Sequence, residues 1–100
     1  MPKILIIEDE ETIRRVLKKV LHQEDKNYEI IEAVDGVDGV SKINSNKFDL
    51  ILCDNKMPKK DGIEVLRHVL KECPNTPTIM ISGHGDLETA VESMRIGAFD

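Results

Sequence analysis

Short apolar runs alternate with amphipathic stretches four times along these 100 residues, and that alternation restricts the fold more than any single motif. Lys3–Ile7 is dominated by a continuous apolar run, the pattern of a strand covered on both faces. A helix is expected from about Thr12 to Gln23, where Ile13, Val16, Leu17, Val20 and Leu21 recur every three or four residues as one stripe. Glu10 and Glu11 fall at its positive end. Tyr28–Val34 reads as a second strand, and Glu29 and Glu32 within it favour an edge position. A short helix around Val37–Ile43 precedes the strand Leu50–Cys53. The next helix, about Ile63 to Lys71, carries Leu66, Val69 and Leu70 inward until "CPNTP" stops it. Thr78–Ile81 is the fourth strand. Leu87, Ala90, Val91 and Met94 mark a fourth helix, with Gly97 as its terminator.

A series of this kind means parallel strands joined by helical crossovers, right-handed in ~98% of cases. The expected class is a doubly wound α/β fold. With the two most apolar strands, the first and third, at the centre, the strand order is 2-1-3-4. The chain then reverses direction between strands 1 and 3, and ligands bind such sheets beyond the carboxyl ends at that reversal. Two quoted stretches end there in acids: "ILIIEDE" delivers Glu8 and Asp9, and "DLILCDNKMP" delivers Asp54.

Two carboxylates ~5 Å apart repel by roughly 3 kcal/mol at an effective dielectric of 20. Three together require a proton or a cation. No thiol or imidazole accompanies them, so the donor set selects a hard ion, and Mg²⁺ fits best. Beside a bound Mg²⁺, Asp54 could attack a phosphoryl group and form an acyl phosphate. The fourth strand ends in "ISGHG", where the Ser82 hydroxyl and the Gly83 N–H could meet that group, and Gly83 and Gly85 permit close backbone approach.

Each of these residues has a plainer reading. A single Asp after a strand is more often a turn residue, and Ser82 alone would cap the following helix. His84 is read as a surface loop residue with no metal role. Arg14, Arg15, Lys18 and Lys19 form, by default, a solvated helix face. The coincidence of acids after strands 1 and 3 with a hydroxyl after strand 4 favours the functional reading.

The net charge of −5 argues against a nucleic-acid surface. Cys53 and Cys73 are far apart in sequence and read as reduced thiols, one in the core and one near a helix end. No apolar stretch approaches the ~20 residues of a membrane helix and no leader precedes the first run, so a cytoplasmic location is expected. Only Tyr28, Phe48 and Phe99 are aromatic, which leaves the core to Ile, Leu and Val.

From Lys3 to Asp100 the chain closely resembles the receiver domain of bacterial response regulators. "ILIIEDE", "DLILCDNKMPKKDG", "TIMISGHGD" and "AVESMRIGAFD" carry the resemblance together. It implies the flavodoxin-like form of the doubly wound sheet, and supports in part the strand order given above. Asp54 would be the phosphate acceptor. Glu8, Asp9, Asp54 and the backbone carbonyl of Lys56 would hold Mg²⁺, with Asp9 a direct ligand and Glu8 acting through water. Ser82 would be the hydroxyl that turns toward the phosphoryl group. The donor would be a phosphohistidine on a sensor histidine kinase docked on the first helix. The stretch "SGHGDLETAVESMRIGAFD" is most similar to receivers of NtrC-type transcription activators, which implies a DNA-binding output domain beyond Asp100; whether activation produces a dimer stays open.

Two departures stand out. Asn55 occupies a position where these domains often carry an apolar residue. The family also continues with a fifth strand and helix, bearing an aromatic switch residue and a phosphoryl-contacting Lys. Residues 1–100 are therefore expected to be a receiver domain truncated before its fifth strand.

Two other functions compete. A receiver-like binding module without phosphorylation needs none of the chemistry. A Mg²⁺-dependent phosphatase of the same layer architecture, as in the haloacid dehalogenase-like family, places a second acid two residues after the nucleophile, where this chain has Lys56. Nucleotide binding is weakest, because "EDEE" replaces a glycine-rich phosphate loop.

Overall fold

The computed structural model of the chain describes residues 2–54 and 62–81. Seven elements follow in the expected alternation: β1 (Lys3–Ile7), α1 (Glu11–Glu24), β2 (Glu29–Ala33), α2 (Gly36–Ser45), β3 (Leu50–Asp54), α3 (Gly62–Glu72) and β4 (Thr78–Ile81). The strands pair in parallel in the order β2-β1-β3-β4. The two most apolar strands are thus central, and the strand interrupted by Glu29 and Glu32 is at an edge. The expected fourth helix and Gly97 lie outside the described residues.

Successive residues of the central strands feed two separate hydrophobic layers, as the two-residue period of a strand requires. Leu5, Ile7, Ile51 and Cys53 pack with Ile43, Phe48, Val65 and Val69 on the α2/α3 side. Ile4, Ile6, Leu50 and Leu52 pack with Leu17 and Leu21 of α1 on the other. Helices on both faces of a parallel sheet make the fold doubly wound.

The apolar stripes of two helices are narrower than their sequences suggest. On α3, Leu70 is 60% exposed, contrary to its expected inward position, while Val65 and Val69 are buried. Val65 and Val69 are four residues apart and share a face. Leu70 is turned about 100° from Val69, and Leu66 remains half-buried. On α1, Leu17 and Leu21 are buried, but Ile13 and Val16 are exposed.

Local bonds explain where these elements start. Asp35 caps α2 by accepting the Asp38 N–H at 2.8 Å, an interaction worth about 1 kcal/mol. Four residues beyond Asp35, Gly39 lies so close to β1 that a Cβ there would stand 2.6 Å from Ile7 Cδ1 and 3.0 Å from Cγ1. At the amino ends of β1 and β3, the Lys3 N–H donates to Asp49 Oδ2 at 2.7 Å, and the Asp49 N–H donates to the Lys3 carbonyl at 2.7 Å. The Lys3 ammonium donates to Asn46 Oδ1 at 2.8 Å and lies 5.7 Å from the Phe48 ring centroid. These contacts fasten the two central strands at the end opposite the acidic residues.

Candidate functional site

Ile7 and Cys53 are direct partners in the parallel β1–β3 ladder. The residues that follow them, Glu8 and Asp54, therefore emerge at the same rim of the sheet. The Glu8 N–H donates to the Ala33 carbonyl at 3.0 Å, which extends the β1–β2 ladder one step beyond the strand. Glu8 is buried, Asp9 exposed and Asp54 half-buried. Each offers a carboxylate oxygen, and those three oxygens all lie within 4.8 Å of one another.

Their proximity has an electrostatic consequence. The Glu8 carboxyl is pushed up to about 8, first by burial and then by its side-chain bond to Asp9, with Asp54 adding to the effect. The Glu10 N–H, 3.2 Å from Glu8 Oε2, pulls in the opposite direction but does not prevail. At neutral pH without a cation, Glu8 therefore holds a proton, and that proton relieves the crowding. A small divalent cation would serve the same purpose from the same place. The donor set fits a hard ion: these are oxygen ligands alone, one sheltered and two accessible.

Of the residues expected at this site, Glu8, Asp9 and Asp54 are brought together. Lys56 and Ser82 lie outside the described residues, as do Asn55, Gly83, His84 and Gly85. Ile81, the residue before Ser82 in sequence, is the register partner of Asp54. A cleft of about 790 Å³ near Phe48, Asp49, Cys73 and Asn75 lies at the amino end of β3, away from the three acids.

Arg14 does not belong to a solvated face. Its side chain is only 12% exposed, its Nη1 donates to the Glu8 carbonyl at 2.8 Å, and its Nε lies 3.5 Å from Glu32 Oε1. Lys18 also reaches Glu32, at 3.7 Å. By contrast, Arg15 pairs with Glu11 at 3.0 Å in solvent, and Lys19 is exposed, as expected of a surface face. An Arg one turn into α1 together with an acid in the neighbouring edge strand was the available signal. Only the crossing of α1 over the sheet shows that they meet.

A doubly wound α/β domain with three converging carboxylates at its topological switch point defines a narrow class. Residues 4–100 match the response regulator receiver domain, and the chain belongs to that family. A protein-glutamate methylesterase/protein-glutamine glutaminase of Methanosarcina mazei is 37% identical over 100 residues, covering 98% of this chain and 27% of that protein. The transcriptional regulatory protein ResD of Bacillus subtilis is 41% identical over 98 residues, covering 98% and 40%. Relatives also include an NtrC-type regulator, the transcriptional regulatory protein ZraR of Klebsiella oxytoca, at 31% identity over 97% of this chain and 21% of that protein. The chain thus spans less than half the length of these curated relatives. Response regulator protein TrrA of Thermotoga maritima, solved in complex with Mg(2+)-BeF, superposes with a TM-score of 0.78 at 30% identity, covering 94% of this chain and 80% of that one.

Proposed function

We propose that this receiver domain accepts a phosphoryl group on Asp54, and that Glu8, Asp9, Asp54 and the Lys56 carbonyl hold the Mg²⁺ the reaction needs. The reading rests above all on the three carboxylate oxygens gathered within 4.8 Å, one of them from the buried Glu8. The solved Mg(2+)-BeF complex of a similar domain supports it. An Asp54 oxygen attacks the phosphorus of a phosphohistidine on a sensor kinase. The P–N bond breaks, the imidazole leaves with a proton, and an acyl phosphate remains on Asp54. When bound, the cation supplies charge neutralisation for the anionic groups that must approach one another.

In this reading the chain catalyses its own modification without turning over an external substrate, and Ser82 answers the phosphoryl group by turning toward it. The output is a segment outside these 100 residues, and DNA binding with transcriptional control suits the likeness to ResD and ZraR. The setting is cytoplasmic. Among the described residues no helix is long and apolar enough to cross a membrane. Incubating the full chain with Mg²⁺ and a small acyl phosphate adds the mass of one phosphoryl group, and Asp54→Asn abolishes the gain. An unchanged mass in the native chain overturns the proposal.

A further inference from the structure

One side chain fastens the turn between β1 and α1. Arg14 donates its main-chain N–H to the Glu10 carbonyl at 3.0 Å, and its side chain folds back over the same turn to the Glu8 carbonyl at 2.8 Å. Its Nε is buried, makes no hydrogen bond among the described residues, and lies 3.5 Å from Glu32 Oε1 on the edge strand. A guanidinium suits such a task, because one arm of its fork donates to the Glu8 carbonyl while its delocalised charge faces Glu32.

The choice of carbonyl matters. Glu8 O belongs to the planar peptide unit that joins Glu8 to Asp9. Holding it sets that plane, and with it the directions in which both acidic side chains leave the backbone. The Glu8 N–H is held from the other side by the Ala33 carbonyl at 3.0 Å. Between them, these two bonds clamp the backbone of the acidic pair.

We infer that Arg14 is a positioning residue for a divalent cation at Glu8, Asp9 and Asp54, an inference that rests on the function proposed above. The competing role is a staple between α1 and β2 through Glu32, which would affect stability and leave cation binding alone. Outer partners of metal ligands typically alter affinity by 10–100-fold when removed, so the two roles separate in a binding experiment.

The test uses the full chain with Arg14→Ala, Arg14→Lys and Lys18→Ala, each shown to be folded by circular dichroism at the temperature used. Lys18 pairs with the same Glu32, whereas the bond to the Glu8 carbonyl comes from Arg14, so Lys18→Ala reports loss of charge from α1. Calorimetric titration with Mg²⁺ should give a Kd raised about 10-fold or more for Arg14→Ala, partly restored in Arg14→Lys and unchanged in Lys18→Ala. The half-saturating Mg²⁺ for modification by a small acyl phosphate should rise by the same factor, while the rate at saturating Mg²⁺ is largely kept. Should Arg14→Ala not fold, Arg14→Met, which keeps an apolar stem without donors, takes its place. A folded Ala or Met variant that binds Mg²⁺ within about twofold of the native chain overturns the inference and leaves the proposed function standing. A native chain that binds no Mg²⁺ overturns both.

Discussion

Ile7 and Cys53 face each other across the β1–β3 ladder, so Glu8 and Asp54 leave the sheet as neighbours although 46 positions separate them in sequence. The site is therefore a product of strand register. Its behaviour toward protons and cations follows from the crowding that this register imposes.

Stability without a cation should fall as pH rises. In the unfolded chain Glu8 titrates near 4.5, and in the fold near 8. Below the lower value both states hold the proton and the fold keeps its full advantage. Between the two, the unfolded chain has released its proton and the folded one has not, so the advantage shrinks until the folded group also ionises. Thermal unfolding in the presence of a chelator should show Tm declining from about pH 5 to above pH 8. Glu8→Gln should flatten the decline; an equally steep profile in that variant would assign the effect elsewhere.

Cation binding at neutral pH should expel a proton. Because Glu8 is protonated near pH 7 and a divalent cation beside it favours the ionised carboxylate, directly or through water, Mg²⁺ titrations in buffers of different ionisation enthalpy should reveal release of close to one proton. The number should fall toward zero above about pH 8.5, where the proton has already gone.

Gly39→Ala should destabilise the fold. The added methyl would meet the fully buried Ile7 side chain at 2.6 Å, and overpacking of this kind costs about 1–3 kcal/mol. Better helix propensity returns at most about 1 kcal/mol. Chemical denaturation should show a net loss, and Ile7→Val in the same chain should recover part of it. Additive losses in the double variant would mean the two residues do not clash.

Val69→Ala and Leu70→Ala, adjacent on α3, should differ sharply. Val69 is 1% exposed and its truncation should cost about 2 kcal/mol, whereas Leu70 is 60% exposed and its truncation should fall within about 0.5 kcal/mol of neutral. Comparable losses from urea titration of the two variants would place Leu70 in the core after all.

Much of this architecture was legible from residue order. The unbroken Ile4–Ile7 and Leu50–Cys53 runs announce central strands, Glu29 and Glu32 announce an edge, and the sheet order then carries Glu8, Asp9 and Asp54 to one rim. What escaped depends on how elements approach one another. Periodicity includes Leu70 in an apolar stripe, but Val65 and Val69 decide which sector of α3 meets the sheet. Arg14 looks like its exposed neighbour Arg15 until α1 packs on the sheet and brings Glu32 within reach. Gly39, inside a short helix, carries no mark in the residue order of the Ile7 side chain that lies beneath it.

The division of β1 and β3 between two hydrophobic layers has a consequence for how such a chain can vary. Inserting or deleting one residue in either strand would exchange every inward side chain between layers and carry its terminal acid about 3.3 Å along the sheet. Strand length is thus held in frame twice over, by oil on both sides and by the convergence of the three carboxylates at one rim. Lineages descended from such a domain can lengthen their loops freely, but the spans from Lys3 to Asp9 and from Leu50 to Asp54 should resist every indel.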